Sequence, residues 1–197
     1  CTQGACLDGA SVHKVLGTVR GDGVGATSGA TVDEAITFVG RVPAPIADFP
    51  TDLAIAPGGR HVYLCRLDGL DVYRLNRSNG VLTRVQALAD GADGIESLSR
   101  LVEVAVSGDG RFVVATSGAD NAVSLFERDA RTGSIALADV FVDEENQVDN
   151  LFRTRPVAVT EAGDHVYVAG LFQEALAVLR RVPDENTHEL VQTIEDF

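Results

Sequence analysis

The chain has 197 residues, 45% of them hydrophobic, and a formal net charge of -13. That apolar content suits one domain with a sizeable core and excludes a disordered polymer. The excess of acid argues against nucleic acid and anionic membrane surfaces, which need a basic stripe, and no run of apolar residues is long enough for a membrane-spanning helix.

The first residues raise a question of processing. Met is absent throughout, and the sequence begins at Cys1 with Cys6 close behind and Cys65 remote. This start fits a lipoprotein acylated at Cys1, a Cys1–Cys6 disulfide loop in an oxidising compartment, or a fragment boundary that falls at a cysteine. Residues 1–34 are rich in Gly, Ala and Thr without a period and are expected to be irregular. They contain Arg20-Gly21-Asp22, an integrin-type tripeptide that also arises by chance. Gly21-Asp22-Gly23-Val24-Gly25 lacks the flanking strand and helix of a dinucleotide fingerprint. Residues 35–50 read as the outer strand of a preceding blade, Ala35–Val42, followed by a linker.

From there one unit repeats three times, over residues 51–100, 101–154 and 155–197. Ala54-Ile55-Ala56-Pro57-Gly58-Gly59-Arg60-His61-Val62-Tyr63 aligns without gaps with the segments beginning at Ala105 and Ala158. Tyr73 to Gly80 aligns likewise with Phe126 to Gly133. Within the first unit, Leu53–Ala56 is a short apolar run, and the Pro-Gly-Gly that follows makes a tight turn. His61–Leu64 is a second apolar strand, Leu70–Leu75 alternates, and Asn79-Gly80 is a hairpin turn leading into a more exposed strand, Val81–Leu88. The second unit predicts strands at Val102–Val106, Phe112–Thr116, Ala122–Glu127 and Ile135–Val142; the third predicts Pro156–Thr160, His165–Ala169, Ala175–Arg180 and Leu190–Ile194. Four antiparallel strands with polarity rising outward describe a propeller blade. Helical repeats are excluded, because no segment holds an i, i+3, i+4, i+7 apolar pattern over three turns. The expected fold is all-β: a β-propeller of four-stranded antiparallel blades, with three full blades and a partial one in this chain.

The segments at Ala54, Ala105 and Ala158 resemble the A-V-S-P-D-G-R-x-V-Y-V signature of lactonase-type propellers, the YVTN repeats. Ala122-Val123-Ser124-Leu125-Phe126-Glu127-Arg128-Asp129-Ala130-Arg131-Thr132-Gly133 resembles that family's A-V-x-V-F-x-R-D-x-x-T-G-x-L continuation. The resemblance covers roughly residues 36–195 and is specific for architecture. It implies a ring of seven blades, of which this chain supplies three and a fraction. The missing blades would come from the rest of a longer chain or from another polypeptide, unless residues 1–42 complete an unusual four-bladed form. The family includes 6-phosphogluconolactonase-like enzymes, cell-surface proteins and propellers without an assigned activity.

In a propeller, the connections from strand four to the next strand one share a face with the loops from strand two to strand three. That face is acidic here: Asp48, Asp68, Asp90, Asp93, Glu96, Asp120 and Glu174 fall on it, together with Asp143, Glu144, Glu145 and Asp149. The Asp143–Asn150 stretch is the best candidate for a calcium site, since hard cations take several carboxylate and carbonyl oxygens; it does not match an EF-hand, and a solvated acidic loop reads the same way. Asp52 and Glu103 occupy equivalent positions at the channel end of strand one, where the third unit has Pro156, with Arg100, Arg153 and Arg155 nearby. Carboxylates beside arginines can hold a sugar or exchange protons, or simply pair to close the channel. Asp52, Glu103 and Arg155 are therefore the catalytic candidates. His61 and His165 share a repeat position, which favours a structural role; His13 and His188 are isolated; Cys65 ends a buried strand as a packed thiol.

No catalytic constellation is legible, so the leading expectation is a secreted or cell-surface module that binds or assembles, located outside the cell, in the periplasm or at the cell surface. One rival is a lactonase-like hydrolase with part of its site in blades outside this chain. Another is a structural subunit of a larger assembly. No cofactor other than calcium is implied.

Overall fold

The computed structural model describes residues 49–145, 151–170, 174–182 and 187–195. The sequence readings at Cys1, Cys6, His13, Arg20-Gly21-Asp22, Ala35–Val42, Asp48 and Asp149 lie outside the described residues.

Among the described residues, twelve strands form three four-stranded antiparallel sheets, each paired in chain order. The first blade holds β1 (Pro50–Ile55), β2 (His61–Arg66), β3 (Gly69–Leu75) and β4 (Leu82–Ala89). The second holds β5 (Leu101–Val106), β6 (Phe112–Ser117), β7 (Ala122–Arg128) and β8 (Ile135–Val142). The third holds β9 (Thr154–Val159), β10 (His165–Gly170), β11 (Ala175–Arg181) and β12 (His188–Glu195). The inner strands β1, β5 and β9 lie side by side, which makes the three sheets consecutive blades around an axis.

The repeated turn shows how sequence sets this geometry. Gly59, Gly110 and Gly163 stand at one repeat position, and all have left-handed backbone with φ of 65°, 73° and 67°. A side chain is strained in that conformation, so the turn selects glycine. The amides of Ala56, Ser107 and Thr160 then close the hairpin onto the carbonyls of His61, Phe112 and His165.

The inner strands begin earlier than the apolar runs suggest, at Pro50, Leu101 and Thr154, because each carries a register shift near its start. Such a β-bulge lets a strand continue past a residue that breaks the in–out alternation. A second bulge recurs in the outer strands, beside Val72, Leu125 and Val178 of the third strands. It turns Val85 and Val191 outward, which accounts for two of the exposed large apolar residues.

The core lies between blades. One cluster joins Tyr63, Cys65, Leu70 and Val72 of the first blade to Val104, Val113, Ala115 and Phe126 of the second. The other joins Val114, Val123 and Leu125 of the second blade to Val157, Val166, Val168 and Leu179 of the third. Each blade therefore depends on its neighbour to bury its apolar face.

Candidate functional site

Because the inner strands run side by side in one direction, their first residues gather at one mouth of the axis. Asp52 of β1 and Glu103 of β5 are both half-buried there. Asp52 Oδ2 accepts a hydrogen bond from the Val104 amide at 3.1 Å, so this carboxylate ties the first blade to the second. Cys65 lies beneath the pair and is fully buried. Burial, with the negative charges of Asp52 and Glu103, pushes its thiol well above the usual range. Cys65 is thus the packed, unreactive thiol expected from its place in the strand.

Arginines stand at the starts of the second and third inner strands. Arg155, which follows the first residue of β9, is exposed. Arg100 and Arg153 stand immediately before β5 and β9, are exposed, and have left-handed φ of 52° and 51°. Left-handed backbone disfavours a residue with a side chain by about 1 kcal/mol, and here it recurs at one repeat position. Local hydrogen bonds hold it. The Arg100 carbonyl accepts from the Gly118 amide at 3.1 Å, and the Arg153 amide donates to Asn121 Oδ1 at 2.9 Å. In the first blade the same position is Phe49, which is also exposed.

The acidic loops divide into two sets. Asp90, Asp120 and Asp143 are half-buried acceptors for backbone amides. Asp90 Oδ1 takes the Leu98 amide at 2.9 Å and Asp143 Oδ1 takes the Leu151 amide at 2.8 Å, the same bond one repeat apart. Leu98 and Leu151 are fully buried, so each aspartate secures the loop that drives a leucine into the core. Asp120 Oδ2 accepts from the Ser99 amide at 2.8 Å and the Ser117 hydroxyl at 2.9 Å. Asp68, Asp93, Glu96, Glu144, Glu145 and Glu174 are exposed. Among the described residues, no group of three or more His, Cys, Asp or Glu is arranged to hold a metal ion. Asp143 Oδ1 is engaged by the Leu151 amide, and Asp149, the fourth carboxylate of the calcium stretch, lies outside the described residues.

The sequence reading missed a group at the opposite, outer end of β2. Arg128, at the end of β7, is buried and donates across the first interface through Nε to Tyr63 Oη at 2.6 Å, and within its own blade through Nη1 to the Gly110 carbonyl at 2.7 Å. Its Nη2 meets His61 Nδ1 at 2.9 Å. The Tyr63 hydroxyl in turn donates to the Gly133 carbonyl at 2.8 Å. Burial first, and then the Arg128 charge, hold the His61 imidazole below its usual pKa. Residue type alone carried the signal: Arg128 and Gly133 belong to the R-D-x-x-T-G run, whose inward-facing arginine ends an otherwise apolar strand.

His188 joins no group of metal-ligating side chains among the described residues. It is buried, with its ring edge-on to Phe112 at 5.4 Å between centroids, because β12 packs its first residue against the second blade.

Solved structures share this fold. The periplasmic gluconolactonase of Pseudomonas aeruginosa is 25% identical with a TM-score of 0.66, over 78% of this chain and 42% of that one. A 6-phosphogluconolactonase candidate from Bacteroides uniformis is 17% identical with a TM-score of 0.65, over 78% of this chain and 43% of that one. A protein from Lactobacillus plantarum is 17% identical with a TM-score of 0.60, over 81% of this chain and 46% of that one. The chain thus spans less than half the length of these structures. No curated protein matches it. Residues 53–196, well over half of the chain, match the family described as Lactonase, 7-bladed beta-propeller, and the chain belongs to that family.

Proposed function

We propose that these three blades are a sector of a lactonase-type propeller that works as a binding scaffold, with the channel mouth as its site for an anionic, hydroxyl-rich ligand of the sugar-acid class. The observation that carries this reading is the placement of Arg100 and Arg153 in left-handed backbone at equivalent positions, both exposed at the start of inner strands. Sparsely populated backbone of this kind concentrates at ligand sites. Guanidinium groups are suited to carboxylate and phosphate, and the half-buried carboxylates of Asp52 and Glu103 can take hydroxyl protons. The engagement of Asp90, Asp120 and Asp143 with backbone amides and the Ser117 hydroxyl supports a structural role for those loops.

A hydrolytic reading is favoured by the likeness to a periplasmic gluconolactonase, which also supports a location outside the cytoplasm. In that reading Asp52 or Glu103 takes a proton from a water that adds to the lactone carbonyl carbon, the ring acyl C–O bond breaks, and the proton passes to the leaving alkoxide, with the arginines facing the acyl oxygen.

One experiment on the complete polypeptide separates the two. Gluconate and 6-phosphogluconate binding is measured by calorimetry, and gluconolactone hydrolysis is followed with and without added divalent cation. Binding that weakens at least tenfold in Arg100→Ala/Arg153→Ala, without turnover, supports the scaffold. Turnover abolished by Asp52→Asn or Glu103→Gln replaces it with the hydrolase. Asp52→Asn retains an acceptor for the Val104 amide, so its effect isolates the charge.

A further inference from the structure

Buried polar atoms are almost always paired in folded proteins, because an unpaired one bears its loss of water uncompensated. The second interface between blades gathers three that are not paired. Arg181 ends β11, His188 begins β12, and the two stand directly opposite in the register. Opposed residues send their side chains to one face of a sheet, with Cβ atoms about 5 Å apart. Both side chains meet one ring of the second blade. The Arg181 guanidinium carbon lies 5.2 Å from the Phe112 centroid, and the His188 centroid lies 5.4 Å from it. Arg181 Nε and both ring nitrogens of His188 are buried and make no hydrogen bond. The Gly163 carbonyl lies near enough to act on the imidazole but outside hydrogen-bond geometry.

The first interface shows what such an arginine takes as a partner. Arg128 stands at the position of Arg181, and its Nε donates to Tyr63 Oη at 2.6 Å. The position of Tyr63 is held by Val114 in the second blade. Valine carries no acceptor and ends well short of a phenol hydroxyl. The position of His188 is held by Ile135, which needs no polar partner. The second interface has thus lost an acceptor and gained an imidazole.

The surrounding charges select the chemistry that pairs these atoms. Arginine only donates, and a neutral imidazole has one N–H to give. Asp139 is the acid that acts on His188, and both of its oxygens are engaged. Oδ1 accepts from the Val140 amide at 2.9 Å and Oδ2 from the His188 amide at 3.1 Å. A second guanidinium, that of Arg111, lies 5.6 Å from the Phe112 centroid.

We infer that a monovalent anion of halide size binds at this interface and accepts hydrogen bonds from Arg181 Nε and a ring nitrogen of His188. Enclosure sets the size. The three polar atoms are buried, so a carboxylate or phosphate has to part the blades, whereas a single-atom ion needs only to face two N–H groups. Arg181 as a whole is half-buried, which gives the ion a way in along its side chain. The ion takes the part that the Tyr63 hydroxyl plays at the first interface, with charge-assisted bonds in place of a neutral acceptor. Because it binds the folded state, it stabilises that state. The inference rests on this interface and is independent of what the channel mouth binds.

The test uses the complete polypeptide in halide-free buffer, to which sodium bromide or sodium chloride is added. In crystals grown with bromide, an anomalous-scattering peak is expected within hydrogen-bond reach of Arg181 Nε and a His188 ring nitrogen. In solution, chloride-35 NMR is followed at fixed pH and ionic strength, with sodium sulfate, too large for the site, as the balancing salt. The protein-dependent broadening of the chloride line is expected to fall at least twofold in Arg181→Met. It should fall as much in His188→Ile, which imports the residue of the first interface. No anomalous peak at this place overturns the proposal, even where density is present, because the occupant is then a water. Broadening that falls less than twofold in either variant overturns it too, since chloride then binds elsewhere. A variant that loses the circular dichroism spectrum of the parent is set aside, and the diffraction result then decides.

Discussion

The two interfaces between blades solve one packing problem with different chemistry. At the first, a histidine and a tyrosine receive a guanidinium through hydrogen bonds. At the second, the same repeat positions hold Phe112 and Val114, and Arg181 stands at the position of Arg128. Its guanidinium lies 5.2 Å from the Phe112 ring centroid, and His188 packs edge-on to the same ring. Arginine is constant and its receptor changes. What the two interfaces share is a planar cation at the end of the third strand, which can donate to oxygen and nitrogen or lie on an aromatic face. The difference lies in what happens when the cation is removed. A ring loses an attraction, whereas a buried polar group loses part of its compensation for desolvation.

The sharpest way to break the comparison is therefore to delete both arginines separately. Arg128→Met leaves Tyr63 and the Gly110 carbonyl buried with a partner removed and should lower unfolding free energy by about 3 kcal/mol. Arg181→Met removes a cation–π contact and should lower it by about 1 kcal/mol. Urea titration of both variants checks this, and equal losses would show that the interfaces are energetically alike.

A glycine pair comes next. Gly58 and Gly133 share a φ of +82°, but a Cβ at Gly58 meets nothing within 4 Å while one at Gly133 collides with His61. Gly58→Ala should lower stability by about 1 kcal/mol through backbone strain alone. Gly133→Ala adds overpacking against a buried ring and should lower it by roughly 3 kcal/mol. Thermal melts of the two read the steric part of the first interface by difference.

The third contrast is in pH. Burial, followed by the charge of Arg128, lowers the pKa of His61; burial also lowers that of His188, where Asp139 opposes it. A folded-state pKa below the unfolded value near 6.5 means that the unfolded chain takes up the proton first. Stability is then full above about pH 6.5 and declines as pH falls further, by at most about 1.4 kcal/mol per pH unit for each group. His61→Phe imports the aromatic solution of the second interface. It should flatten this decline without removing the share due to His188. Urea midpoints at pH 7.5, 6.5 and 5.5 test it, and an unchanged slope would assign the whole dependence elsewhere.

These contrasts also mark where the sequence stopped being readable. Blade architecture was legible because it is local: a left-handed glycine turn, apolar runs on either side and an Asn-Gly hairpin all lie within one unit. Repetition at His61 and His165 pointed to a structural role, which His61 has. The partner was invisible, because Tyr63 and Arg128 lie in different sheets, and only the register of both sheets brings them together. Likewise, composition revealed the acidic face but not direction. Asp90 and Asp143 are part of that face, and only the loop geometry shows Oδ1 of each accepting the amide of Leu98 or Leu151. His188 looked isolated because its neighbour, Phe112, belongs to the preceding blade.

The smallest expected effect lies at the outer edge, where the two interfaces again differ. Gln86 both donates to and accepts from Ile135, whereas Asp139, one repeat later, can only accept, and takes the His188 amide at 3.1 Å. Both pairs are part-buried, so water replaces much of what is lost. Gln86→Ala should lower stability by about 1 kcal/mol and Asp139→Ala by about half that. Gln86→Glu is the informative variant. It keeps the acceptor for the Ile135 amide but turns a donor toward the Ile135 carbonyl into a second acceptor, setting two oxygens against each other. It should be at least as damaging as Gln86→Ala at pH 7 and recover toward pH 4, when the glutamate takes up a proton and can donate again. A loss that does not recover would mean that the outer strands are joined by packing alone.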